Sequence, residues 1–112
     1  MEMKQLSFEY EGAKYTLAFD RKTVQTLSRA GFDPESVTKQ PAIGIPMLFR
    51  GAFMVHHRNI KQDLVDKIYS TIINRDQLVA KLLEMYYDPI KELIEDPEEV
   101  EDEKKVTWEA NF

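Results

Sequence analysis

His56 and His57 are the only histidines in a 112-residue chain that has no cysteine. Metal or acid–base chemistry would have to start from them. Neighbouring positions on a helix point about 100° apart, so the pair cannot easily grip one ion together. Carboxylates from elsewhere would be needed, and no spacing selects any. Disulfides and thiolate chemistry are excluded outright. Ser7, Ser28, Ser36 and Ser70 are read as lying in no nucleophile-elbow or Ser-x-x-Lys context. Gly12, Gly31, Gly44 and Gly51 are too scattered to build a phosphate loop. Carboxylates are numerous, but their spacing pairs none as acid and base. The expectation is therefore no catalytic residue, no metal site and no cofactor. His56 and His57 are read as structural or surface residues.

Contact chemistry is better represented. Tyr86 and Tyr87 are adjacent within a helical apolar pattern, so one can face a core while the other points elsewhere. Trp108 stands in a polar stretch with no local core to bury it. Exposed aromatics and methionines commonly mark protein interfaces. Met54, Tyr86, Tyr87 and Trp108 are accordingly the candidate partner-binding residues. The opposing expectation is that Tyr87 and Trp108 fold back onto the body.

Charge narrows the partner class. The net charge is −5, but the run Glu95–Glu103 alone holds seven acids and no base, leaving 15 bases against 13 acids elsewhere. A near-neutral body with an acidic run argues against nucleic acid, which is bound by neutralising phosphates. Arg21-Lys22 and His57-Arg58 are short basic clusters without interleaved aromatics, and read as solvated faces. The first residues lack the apolar core of a secretion signal, and no run approaches the roughly 20 apolar residues of a membrane span. No membrane association is expected.

Elements that would position these residues can be read from periodicity. Leu6, Phe8 and Tyr10 alternate with polar neighbours, as do Tyr15, Leu17 and Phe19. That predicts a β-hairpin over 5–19 with all six apolar side chains on one face. A type II′ turn at Gly12-Ala13 would pair Glu11 with Lys14, Phe8 with Leu17 and Leu6 with Phe19. Asp20 should cap a helix carrying Val24, Leu27 and Ala30, ended by Gly31. A short helix should begin at Asp33-Pro34-Glu35 and stop before Pro41. Residues 41–46 read as a link or as the start of the next helix. The most apolar helix is expected over 46–58, with Gly51-Ala52 allowing close approach of a neighbour. A helix capped by Asn59 should carry Leu64, Val65, Ile68, Tyr69, Ile72 and Ile73. Asn74 should cap the last helix, which Pro89 should kink or break near Asp88. Val106-Thr107-Trp108 could add a short strand or dock on the body. The predicted fold is mainly α with some β (α+β): an N-terminal β-hairpin followed by about five helices in a small bundle, residues 1–95, with an acidic, flexible tail over 96–112.

Four stretches carry a family likeness: Tyr15–Val24, Ala30-Gly31-Phe32, Leu48–Phe53 with His56-His57, and Lys81–Tyr86. Together they resemble small tail assembly chaperones of siphophages and prophages of Gram-positive bacteria, over roughly residues 8–95. The resemblance implies a helical protein with an N-terminal hairpin that acts in tail morphogenesis, in the cytoplasm of the bacterial host. It would bind the tape-measure protein before the tail tube polymerises. No catalytic residue is carried over. Homo-oligomerisation is compatible with the resemblance. The alternative is a structural minor tail protein, a completion or connector protein retained in the virion. An enzyme, and a host-directed inhibitor whose acidic tail mimics nucleic acid, are the remaining classes.

Overall fold

Alternation of apolar and polar residues sets the first element. A computed structural model describes residues 3–96 and 106–112 of the chain. Gln5–Tyr10 (β1) and Ala13–Ala18 (β2) form an antiparallel hairpin. Leu6 lies opposite Leu17, Phe8 opposite Tyr15 and Tyr10 opposite Ala13. The turn is therefore Glu11-Gly12, with φ of 49° and 83°. Positive φ at both central residues is the type I′ signature, whose twist matches that of the strands. The pairing thus differs by two residues from the type II′ reading at Gly12-Ala13. A two-residue slip leaves every side chain on its face. Leu6, Phe8, Tyr10, Tyr15, Leu17 and Phe19 all pack against one apolar core. Lys14 keeps an acidic neighbour, Glu9 in place of Glu11.

Asp20 starts α1 (Arg21–Arg29): its carboxylate accepts the Thr23 N–H at 2.7 Å. Partial burial raises the Asp20 pKa, but hydrogen bonds from Thr23 and from its own N–H, with Lys22 nearby, outweigh burial and hold it below the ordinary value. Gly31, at φ 100°, ends the helix. The Phe32 N–H donates to Leu27 O at 2.9 Å and the Gly31 N–H to Ser28 O at 3.1 Å. This is a Schellman motif, with Phe32 and Leu27 meeting in the core.

Asp33 accepts the Glu35 N–H and leads into α2 (Ser36–Lys39). The next helix, α3, spans Pro41–Gly51. The expected helix over 46–58 is displaced: it begins five residues earlier, with Pro41 in its first turn, and stops at Gly51. Pro41 suits a first turn because its missing N–H would be unpaired there anyway. Pro46 lies inside the helix, where it cannot donate to Ala42, but both residues are exposed and water can take the freed carbonyl. Residues 52–56 form turns. Gly51 lets α3 close on α1, since a Cβ there would meet the Leu27 side chain. Gly44 plays the same part between α3 and the backbone of Ser36.

Helix α4 spans Gln62–Thr71 and α5 Arg75–Ile94. The residue before α4 is Lys61, and neither it nor Asn74 caps through its side chain, so the caps expected from Asn59 and Asn74 are absent. Asn74 still precedes α5, in a left-handed conformation with φ 56°. Pro89 does not end α5 near Asp88; the helix continues to Ile94. A proline in a helix interior costs roughly 3 kcal/mol. Burial of Pro89 and packing of Ile90 on the core offset that cost.

The core joins Leu17 and Phe19 of the hairpin side to Leu27, Leu48, Phe49, Phe53, Ile68, Leu82 and Tyr86 of the helices. Phe53 is fully buried, edge-on to Phe8, Tyr15 and Phe49. No described helix is long and apolar enough to cross a membrane. The expected acidic, flexible tail falls at 97–105 outside the described residues. Residues 106–112 form no helix or strand and are exposed, so Val106-Thr107-Trp108 neither adds a strand nor docks on the body here.

Candidate partner-binding surface

Helix α5 places its two adjacent tyrosines in opposite situations. Tyr86 is buried, with its ring edge-on to Phe19 at 5.5 Å and to Phe32 at 5.1 Å. Burial, helped by Tyr87 and Asp33, raises its pKa above the ordinary tyrosine value. Tyr86 therefore belongs to the core, which corrects its assignment as a contact residue. Tyr87 is 41% exposed and leaves that cluster. Met54 is half-buried in the turns after α3. Trp108 is 84% exposed. Of the four candidates, then, Tyr86 is enclosed, and the others lie on three different segments.

The apolar stripes of 46–58 and 76–95, the widest in the sequence and so the expected walls of a binding groove, do not leave one open either. Leu48, Phe49 and Phe53 on one side, and Leu82, Met85 and Tyr86 on the other, are all buried. What remains of α5 is a second stripe, Leu83, Tyr87, Ile90 and Ile94, offset by one residue from the buried stripe Leu82, Met85, Tyr86 and Pro89. Spacings of four, three and four put the second stripe on one helical face. It opens toward the end of the helix, where Ile94 is 77% exposed and Leu93 59%.

A further apolar surface was not visible in the periodicity. A groove of about 480 Å³ runs between β1 and the α4–α5 connection. Leu6, Phe8 and Tyr10 line one wall, and Ile72, Ile73 and Leu78 the other. The strand alternation signals these β1 side chains, but it assigns them to a covered face. They are half-buried instead, because the α4–α5 connection stands back from the strand. A smaller cleft, about 340 Å³, lies between α3 and α4. There Arg75 stacks over the Tyr69 ring at 4.9 Å and donates to the Ser70 and Ile72 carbonyls.

Of the two histidines, His57 serves the fold. The Thr16 N–H donates to His57 Nε2 at 3.0 Å. Accepting at Nε2 requires a neutral ring with its proton on Nδ1. His57 is thus engaged on the hairpin, while His56 is exposed. The expectation that no serine has Ser-x-x-Lys spacing is corrected: Ser36-Val37-Thr38-Lys39 has that form. Its two side chains are committed elsewhere, Ser36 Oγ to the Asp33 carbonyl and Lys39 Nζ to Glu35 at 2.8 Å. Among the described residues, no three His, Asp or Glu side chains gather to hold a metal ion.

A family model described as a domain of unknown function (DUF5055) matches residues 2–112. The chain belongs to this family. No curated protein and no solved structure matches it. As a DUF5055 member the chain inherits no named activity, so its functional reading rests on the surfaces described above.

Proposed function

We propose that this DUF5055 chain is a protein-binding assembly factor, a tail assembly chaperone of a phage or prophage that covers an apolar helical segment of the tape-measure protein. On this reading it works in the bacterial cytoplasm and has no catalytic residue and no cofactor. One observation carries the proposal: α5 holds a second apolar stripe on which Tyr87 and Ile94 are exposed, with Leu93 exposed next to it, and none of the three belongs to the core. Solvent-facing apolar residues at helical spacing suit a partner helix laid alongside. The likeness of Tyr15–Val24, Leu48–Phe53 and Lys81–Tyr86 to tail assembly chaperones supplies the identity of that partner.

Co-expression with the tape-measure protein tests the reading. The expected result is a soluble partner that co-purifies with this chain. An equally soluble partner that never co-purifies would count against it. Mass spectrometry of finished virions separates the alternative, since a chaperone is absent from them and a structural minor tail protein is present.

A further inference from the structure

The two edges of the hairpin are not alike. In an antiparallel pair with a two-residue turn, alternate residues direct their N–H and C=O groups outward. On β2 those residues are Lys14, Thr16 and Ala18, and the last two are satisfied: Thr16 N–H by His57 Nε2 and Ala18 N–H by Ala52 O, both at 3.0 Å. The turns after α3 therefore close the β2 edge. On β1 the outward residues are Gln5, Ser7 and Glu9. Among the described residues nothing bonds the outward groups of Ser7 and Glu9. The open edge borders the apolar groove of about 480 Å³, on whose far wall Ile73 is 80% exposed.

The segment Val106–Phe112 has the matching pattern. Val106, Trp108, Ala110 and Phe112 alternate with Thr107, Glu109 and Asn111. This is strand periodicity with one apolar face, yet Val106 is 92% exposed and Trp108 84%. We propose that Val106–Phe112 of a second copy of this chain adds to the β1 edge as a third, antiparallel strand. With Trp108 opposite Phe8, Val106 faces Tyr10 and Ala110 faces Leu6, all over the groove. Thr107, Glu109 and Asn111 then lie opposite Glu9, Ser7 and Gln5, so no like charges meet directly. Strand addition of this kind takes its affinity from the main chain and its specificity from alternate side chains.

Two observations favour a second copy over the chain's own segment: the short slack of the linker, and the exposure of Val106 and Trp108 in the single chain. Lys4, just before β1, pairs with Asp88 at 3.3 Å, and α5 carries the chain a further two turns from there. An antiparallel strand on the chain's own edge would need Val106 at the Tyr10 end. That is about 20 Å of strand plus about 12 Å of helix to retrace around the body. The nine residues between Asp96 and Val106 span at most about 36 Å when fully extended, so the chain's own segment could take that place only with its linker drawn almost straight. A second copy has no such restriction, and reciprocal exchange closes a two-fold dimer.

The test uses sedimentation of the full chain over a concentration series, with Trp108 emission read on the same samples. The expected result is a doubling of mass accompanied by a blue shift of Trp108, with the doubling lost in Trp108→Asp and both signals lost in Ser7→Pro. The proline removes an outward N–H without touching the apolar face. A chain ending at residue 105 should be monomeric, and a peptide of sequence 106–112 should bind it with a blue-shifted tryptophan. A monomer with buried Trp108 would assign the edge to the chain's own segment and overturn the exchange. A monomer with exposed Trp108, or a dimer unchanged in the shortened chain, would overturn it too.

Discussion

The two apolar stripes of α5 differ by one residue in register and by nearly everything in environment. Leu82, Met85, Tyr86 and Pro89 are buried against α1, α3 and the hairpin side. Leu83, Tyr87, Ile90 and Ile94 share the apolar character and the spacing, but Leu83 and Ile90 are only half-buried and Tyr87 and Ile94 are exposed, Ile94 to 77%. Periodicity states that a helix has an apolar face; which of two adjacent faces becomes core is decided by what packs against it. Here Phe19 and Phe32 reach Tyr86 and not Tyr87. The inner stripe should therefore carry stability and the outer stripe binding.

The largest effect should come from the inner stripe. Tyr86→Ala empties the space between Phe19 and Phe32 and should destabilise by roughly 3–5 kcal/mol, measured by urea unfolding. An unchanged midpoint would mean that Tyr86 belongs to a partner surface after all. The raised Tyr86 pKa adds a pH signature. Its contribution is fully present below the unfolded value of about 10 and is lost as pH rises through the higher folded value. Tyr86→Phe should remove that alkaline loss.

Next comes the wall behind the inner stripe. Gly51→Ala drives a methyl into Leu27, which α1 holds in the core, and should cost about 1–3 kcal/mol. A neutral result would show that α1 can shift on α3 at no cost. Asp20→Ala, which uncaps α1, should cost about 1 kcal/mol near neutral pH. The Asp20 pKa is depressed on folding. Its stabilisation is present above the unfolded value of about 3.9 and is lost as pH falls through the folded value. The gap between wild type and Asp20→Ala should close in acid, and a gap independent of pH would break the account of the cap.

How much of this was legible depended on whether local rules or tertiary contacts decided. The hairpin face was readable from alternation, because parity survives a two-residue slip. Its register was not, because Glu11 takes positive φ, a cost that local reasoning assigns to glycine. Bonds from Thr16 and Ala18 to the turns after α3 accompany the observed register and have no local signal. Asp20 and Gly31 were legible since caps are local. The extent of α5 was misread at Pro89, where burial outweighed the proline penalty. Adjacency of Tyr86 and Tyr87 made it legible that one of them could face the core; which one does so is decided by Phe19 and Phe32, which reach Tyr86. The groove beside β1 had no signal, because the set-back of the α4–α5 connection is a tertiary property.

The smallest stability effect belongs to the outer stripe, and it carries the central claim. Tyr87→Glu with Ile94→Glu should each move the unfolding free energy by no more than about 0.5 kcal/mol, since both residues sit at the surface. The decisive measurement is the soluble fraction of the tape-measure protein when it is co-expressed with wild type or with this double variant, both checked for equal melting temperature. The account predicts that the variant folds normally and leaves the partner insoluble. A variant that keeps the partner as soluble as wild type does would show that the outer stripe of α5 is not the binding surface.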